Sequence, residues 1–598
     1  RGTVVTENGQ PKAQVEWNDK LDKTPKEPKV VSDAFLTRIT ATNDIEIIDS
    51  PLGVKTATIK SIKGLSIKQV LKNGDFSDGT NGWSANLATL SVSNKVLTVT
   101  VNSLGESVGF YGSGQPKSIA NHPYYISAYI NPKYANNVRI GYGDNYASFS
   151  GLVANRWNFV SAIVIPEQSG ETFLFYHYAA SGYAVGDTFG VADVRCIDLV
   201  DSGLTGWTKE QLDAVIPHLP YWEGVRHSNP TQLKSVGDNL INLQPLTATY
   251  AGVTMQINAD GTITLNGTAT SAADRTIFGD GLTGNIILKR PVTELQLVVE
   301  HISGTISGDS LYVMADGRLV NDGTARYGQQ ISCSIPAGSI GGVYKSYVNN
   351  ESPGFLHNIR LYIGSGRTFN NLKFRVMLLH KDNPLTEYKP YTEHITILPQ
   401  EHELTRWDKI DCQSNTKNVN TGKIVLSGTE NFSVSYSDDN WFAAYLNLSL
   451  AKGNGEKICT HFAYFNAPYR TEDYSLPATG TGIYNNTFAS TLFIFSISRN
   501  SFADINAFKN YLAQQHANGT PVTVWYELAE PVIEPLEQEW DNTYPAWNYG
   551  LEQLYDTDGN LTIAQMEIEY PLDIQKQVDT NTWLIQQLEK KIQELLQQ

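Results

Sequence analysis

The stretch Ile574 to Leu595 restricts the possible folds of this chain more than any other. Apolar residues fall there at Ile574, Val578, Ile585, Leu588, Ile592 and Leu595, mostly in steps of four and three. Written as heptads, Val578, Ile585 and Ile592 take position a, while Ile574, Asn581, Leu588 and Leu595 take position d. A stripe this narrow is a coiled-coil seam, and a seam needs partner helices. A single amphipathic helix packed on its own domain, the alternative, carries a wider apolar face. Isoleucine or valine at a with leucine at d favours two strands, but Asn581 at d is a polar residue of the kind that fixes register and oligomer state. The spacing predicts an oligomer held together at this end.

The rest of the chain is of another character. With 598 residues it is too long for one core and is expected to hold several domains. Tyrosine (31) outnumbers phenylalanine (21), glycine (48) outnumbers proline (25), and short alternating runs separated by turn residues point to all-β structure. The formal net charge of −16 argues against duplex nucleic acid as a partner, because phosphate binding needs concentrated lysine and arginine. There is no apolar run near the length of a membrane-spanning helix, so no membrane insertion is expected. Cys196, Cys333, Cys412 and Cys459 lack metal-ligand spacing and read as small buried hydrophobes, with a single bridge open as an alternative.

Residues 1–68 are expected to form an N-terminal arm and attachment segment; their Lys/Pro-rich part, 20–29, cannot bury enough apolar surface to fold alone. Residues 69–203 read as a first β-sandwich, with strands at Ala88–Val92, Val96–Val101, Trp157–Ser161, Phe173–Tyr178 and Phe189–Val200. A short helix and linker follow over 204–236, with Thr208 and Gln211 spaced as a capping box and Trp207 and Leu212 as a hydrophobic staple. A repeat then emerges: 260–268 (DGTITLNGT) aligns without gaps to 421–429 (TGKIVLSGT), which divides the chain into sandwiches over 237–392 and 393–537. The later exits, Leu372–Leu379 and Val522–Leu528, correspond loosely, and the last sandwich includes a helix from N-cap Asp504 to Asn518-Gly519. Residues 538–572 read as a β collar, with Leu551–Tyr570 a hairpin around Asp556–Gly559, and 573–598 as the coiled coil.

Catalytic signatures are not found. Ala337-Gly-Ser339-Ile-Gly341 lacks the first glycine of a nucleophile elbow, and His402-Glu-Leu-Thr-Arg406 has arginine where a zinc protease needs its second histidine. Carboxylate neighbours such as Asp438 and Asp439 arise by chance among 61 acidic residues. No enzymatic activity is expected.

Three stretches carry a resemblance. The segment NGDFSDGTNGW at 73–83 resembles the start of carbohydrate-binding jelly-roll modules of bacteriophage tail proteins and glycan-active enzymes. TKEQLDAVIPHLPYWEGV at 208–225 resembles the helix and exit strand that follow such modules in tail proteins of phages infecting Gram-positive bacteria. PVTVWYELAEPVIEPL at 521–536, followed by a β segment and a terminal coiled coil, is similar to the C-terminal half of those proteins. The resemblance implies an all-β fold of serial jelly-roll-type sandwiches followed by a trimeric α-helical coiled coil, with Asn581 as one of the Asn layers such trimers carry. It implies a tail fibre or receptor-binding protein of the virion, partnered with itself, with other tail or baseplate proteins through the N-terminal region, and with a host-surface glycan. A tail-associated polysaccharide-degrading enzyme and a bacterial surface adhesin are the alternatives. Sugars stack on exposed aromatic faces, which makes Tyr111, Tyr142 and Tyr146, beside glycine-rich loops, the candidate glycan-binding residues; Trp83 reads as core. Related modules hold a structural calcium between first and last strands, for which Asn73, Asp75 and Asp198 offer hard oxygen ligands; the alternative is that Asp75 and Asp78 only make turns. No other cofactor is expected.

Overall fold

The computed structural model describes residues 2–7, 10–15, 36–41, 47, 50, most of 53–571, and Thr582, Ile585, Gln586 and Lys590. Within 53–571 it leaves out 135–136, 178–181, 214, 280–291, 319–329, 349–354, 400–402, 438–439, 448–450, 453–454, 469–481, 486–491 and 537–539. The described chain is predominantly β, as its alternating runs predict, and its strands form several stacked sheets.

The molecule is built around a hub made from the segments that connect the sandwiches. Val54–Lys63 is its central strand: it pairs antiparallel with Gln565–Pro571, Thr543–Trp547 and Lys409–Asp411. Ala57, Ile59 and Ile62 on this strand meet Tyr544, Ala546, Met566, Ile568 and Ile410 in one buried cluster. A smaller sheet, Glu393–Ile397 on Gln232–Val236 on Leu551–Tyr555, lends Leu233 and Leu554 to the same core. Gly64 is where the hub strand turns out toward the first sandwich; a Cβ there would meet the Thr405 carbonyl oxygen at 2.0 Å, so only glycine fits this backbone approach.

Three times the chain leaves the hub, builds a two-layer sandwich and returns. The first stacks a seven-stranded sheet, including Tyr124–Asn131, Thr188–Asp198, Ser66–Gln69 and Gly224–His227, on a five-stranded sheet. The second packs a six-stranded sheet on a four-stranded one around a core that includes Met255, Leu265, Leu297, Val313, Leu361 and Phe374. The third continues the hub sheet itself: Thr416–Leu426 pairs with Lys409–Asp411 on one side and Val522–Pro535 on the other. A five-stranded sheet and the helix Ile505–Ala517, through Phe508 and Leu512, close its core.

Local signals hold in detail. Thr208 N–H donates to Gln211 Oε1 at 2.9 Å and Gln211 N–H to Thr208 Oγ1 at 3.3 Å, while Trp207 and Leu212 share a cluster. Asp504 Oδ1 accepts from Ala507 N–H at 2.8 Å and caps its helix. The repeated strands occupy equivalent places, since Ile263–Thr268 pairs with the closing strand Thr368–His380 as Thr416–Leu426 pairs with Val522–Pro535. All four cysteines are free and buried.

Two expectations are corrected. Leu551–Tyr570 is not one hairpin: the Asp556–Gly559 turn forms, but Leu551–Tyr555 pairs with Gln232–Val236 and Gln565–Pro571 pairs with Val54–Lys63. Nor are the inner parts of 1–68 and 538–572 an arm and a separate collar, because their strands pair in one sheet with a common core. Of the heptad positions, Ile585 is helical and 55% exposed; Ile574, Val578, Asn581, Leu588, Ile592 and Leu595 lie outside the described residues. Among the described residues no helix is long and apolar enough to cross a membrane.

Candidate functional site

Strand parity sorts the three tyrosines. In Val138–Tyr142, residues Val138, Ile140 and Tyr142 point inward, and Tyr142 is 0% exposed, packed against Tyr124 and Phe173. Burial pushes its phenol far above the usual tyrosine pKa. Tyr142 is therefore a core residue, which corrects its assignment as a glycan contact: the glycine-rich turn beside it follows an inward position.

Tyr111 and Tyr146 have the opposite orientation and lie on one cross-strand row. Tyr146 pairs with Gly141, Gly141 with Leu174, and Leu174 with Tyr111. Three strand spacings separate the two rings, roughly 14 Å. Gly141 keeps the row low, because a Cβ there would meet the Asn145 carbonyl oxygen at 2.4 Å and Tyr146 Cα at 2.5 Å. The next row carries Arg139 opposite Tyr176. Arg139 lies 5.2 Å from the Tyr146 ring centroid, on a ring that is 38% exposed, and its Nη2 donates to the Glu106 carbonyl. Tyr176 is half-buried and lies close enough to Tyr111 for that neighbour to add to the rise that burial causes in its pKa. The outer face of the five-stranded sheet is thus an aromatic strip with a guanidinium at one end. Rings offer stacking area at small cost in side-chain entropy, and a fixed cation orients polar groups.

Trp83 lies in the core, 5.3 Å from Phe110 and 6.0 Å from Phe173 between ring centroids, with its indole N–H on the Asn73 carbonyl. Asn73, Asp75 and Asp198 are not brought together in an oxygen cage. The Asn73 amide donates to the Gly79 and Asn81 carbonyls at 3.0 and 2.9 Å. Asp75 holds Ser77 and the Lys95 ammonium, at 2.8 Å each. Asp198 binds His122 at 3.0 Å and accepts from Val200 and Asp201 N–H. The aspartate near the N-terminal turn has its own cation, and Asp198 has a histidine.

A second surface escaped the sequence reading. On the outer face of the second sandwich, Gln256, Thr264 and Lys373 form a row across three strands. Beside it Arg375 is held by Asp260 at 3.3 Å and Glu300 at 3.9 Å, over the Tyr388 ring at 4.7 Å. A bulge in Leu295–Ser307 lifts Ile302 into the same open groove of about 630 Å³. These are ordinary polar residues at outward strand positions, and only knowledge of the pairing aligns them.

No family model and no curated protein matches this sequence. Among solved structures, the chain is similar to the N-terminal CBM22-1-CBM22-2 tandem domain from Paenibacillus barcinonensis Xyn10C, at 11% identity and a TM-score of 0.18, over 53% of this chain and 99% of that one. It is also similar to the vicilin from Solanum melongena, at 10% identity and a TM-score of 0.11, over 54% of this chain and 84% of that one. Overlaps this slight establish no common fold, so the site stands on its own geometry.

Proposed function

We propose that the protein is an adhesive protein of a phage tail, a tail fibre or receptor-binding protein, whose sandwiches present glycan-binding faces to a host cell. The observation that carries the reading is the outward row Tyr111–Leu174–Gly141–Tyr146, flanked by Arg139 and Tyr176. An extended saccharide laid across the strands would stack on the two outer rings and bond its hydroxyls to the Arg139 guanidinium at the Tyr146 end. The activity is binding without bond cleavage. The heptads at Ile574–Leu595 supply the oligomer, a homotrimer, in which several weak faces act together and raise avidity well beyond one contact. The N-terminal region is the proposed attachment to other tail or baseplate proteins.

The test is a glycan array followed by calorimetry on the best ligand. Tyr111→Ala and Tyr146→Ala should each weaken binding about ten-fold, the loss expected when an aromatic anchor is truncated. Tyr142→Phe, which changes only a core hydroxyl, should leave affinity unchanged. Binding that survives the Tyr111/Tyr146 double substitution would overturn this assignment of the site.

A further inference from the structure

The first and third sandwiches meet across a cleft of about 660 Å³, a size that holds small ligands in other proteins. It is separate from the tyrosine face, and its test does not depend on that face. Its floor is a set of neutralised charges. Lys68 Nζ lies 2.6 Å from Asp201 Oδ2 and donates to the Phe462 carbonyl, and Tyr464 N–H donates to Asp201 Oδ1. Burial works against the Lys68 ammonium, but Asp201 and Asp198 outweigh it and hold its pKa above the ordinary lysine value. His122 is likewise opposed by burial, and its bond to Asp198 raises it. The bonds to Phe462 and Tyr464 tie the third sandwich to the first, and the two ion pairs leave little net charge on the floor.

The walls differ. Lys72 and Lys117 enter from the first sandwich as exposed side chains, and Glu223 faces them. His461, Tyr511 and Thr520 enter from the third. His461 is kept below the usual histidine pKa first by burial and then by the Lys72 and Lys68 ammonium groups, so its ring is neutral near pH 7. Gln69 is the residue that calls for a ligand. It lines the cleft, is 2% exposed, and accepts Cys196 N–H on Oε1 at 2.8 Å, while its Nε2 has no hydrogen-bond partner among the described residues. A buried amide donor without an acceptor is destabilising, and a ligand oxygen would satisfy it.

We propose that this inter-sandwich cleft binds an acidic saccharide, its anionic group between Lys72 and Lys117, a hydroxyl or ring oxygen on Gln69 Nε2, and a ring face against Tyr511. Two ammonium groups against the single exposed carboxylate of Glu223 leave the walls net positive and select an anionic group, and the hydroxyl of Thr520 with the neutral imidazole of His461 suits a sugar more than a bare ion. The anion's source is a uronate carboxylate or a sugar phosphate, which the same lysines would hold.

Calorimetry on the full chain tests this with glucuronate, glucose 6-phosphate, glucose and inorganic phosphate as probes. At least one acidic sugar should bind about ten-fold or more tightly than glucose and than inorganic phosphate; whichever does identifies the charged group. The Lys72→Ala/Lys117→Ala variant, altered only at exposed side chains, should lose that preference while keeping its unliganded melting temperature. Equal binding of glucose, equal binding of inorganic phosphate, no binding of any probe, or a preference that persists in the double variant would each overturn the proposal.

Discussion

His227 gives the sharpest quantitative expectation. It lies on Gly224–His227, the strand by which the first sandwich returns to the hub, with its ring edge-on to Trp525 of the third sandwich at 4.5 Å. Nδ1 is 2.8 Å from Ser66 Oγ, and Nε2 is buried without a hydrogen-bond partner among the described residues. Burial, then the nearby Lys423 and Arg406, push its pKa down from 6.5 to about 3. The sign follows from linkage: the unfolded chain takes up the proton near 6.5 and the folded chain only near 3, so the contribution is full above about pH 6.5, shrinks as pH falls, and is gone below the folded value. Going from pH 7 to pH 5 should cost about 2 kcal/mol through this one group, taking 1.36 kcal/mol per unit over the portion of the shift spanned. The assay is urea unfolding at both pH values, comparing the protein with His227→Asn. The asparagine variant loses packing equally at both pH values, so the difference between the two proteins should narrow by about 2 kcal/mol at pH 5. The same pH dependence in both proteins would refute the reasoning.

Two further outcomes are expected. Lys68→Met leaves Asp201 buried without its cation and should cost about 3–5 kcal/mol, read from the urea midpoint, while adding Asp201→Asn should restore much of it; a loss under about 1 kcal/mol would show that water reaches the pair. Light scattering at micromolar concentration should give a trimer for the full chain and a monomer after removal of 572–598; a full-length monomer would reduce the heptad stretch to an ordinary packed helix.

What the sequence disclosed is what the chain decides locally. The Thr208 capping box, the Asp504 cap and the Asp556–Gly559 turn each depend on residues a few positions apart, and each forms. Alternation placed the strands Ala88–Ser93 and Val96–Val101 within a residue. The tyrosines show where this reach ends. Composition and neighbouring glycines pointed to Tyr111, Tyr142 and Tyr146 alike, but parity separates them: Tyr142 shares a face with Val138 and Ile140, while Tyr146, across the hairpin turn, faces out opposite Gly141. Counting alternate positions back from Tyr142 through those two aliphatic residues would have found this signal.

The hub lies beyond local reading for a physical reason. Ser61 and Glu567, hydrogen-bonded side chains of its adjoining strands, are 506 residues apart. A strand specifies which of its faces is apolar but not which distant strand will cover it, and Val54–Lys63 alternates as well for an edge as for a centre. The same holds for the candidate binding surfaces. The Gln256–Thr264–Lys373 row exists only once three strands pair, and the cleft only once Lys68 of the first sandwich reaches the Phe462 carbonyl of the third. This arrangement also bears on how the molecule would adhere. Each sandwich is tied to the hub at both of its ends, so it has less freedom to reorient than a module on a single flexible linker. Multivalent attachment loses least entropy when its faces are held in place beforehand, which is the advantage a hub offers over modules joined end to end.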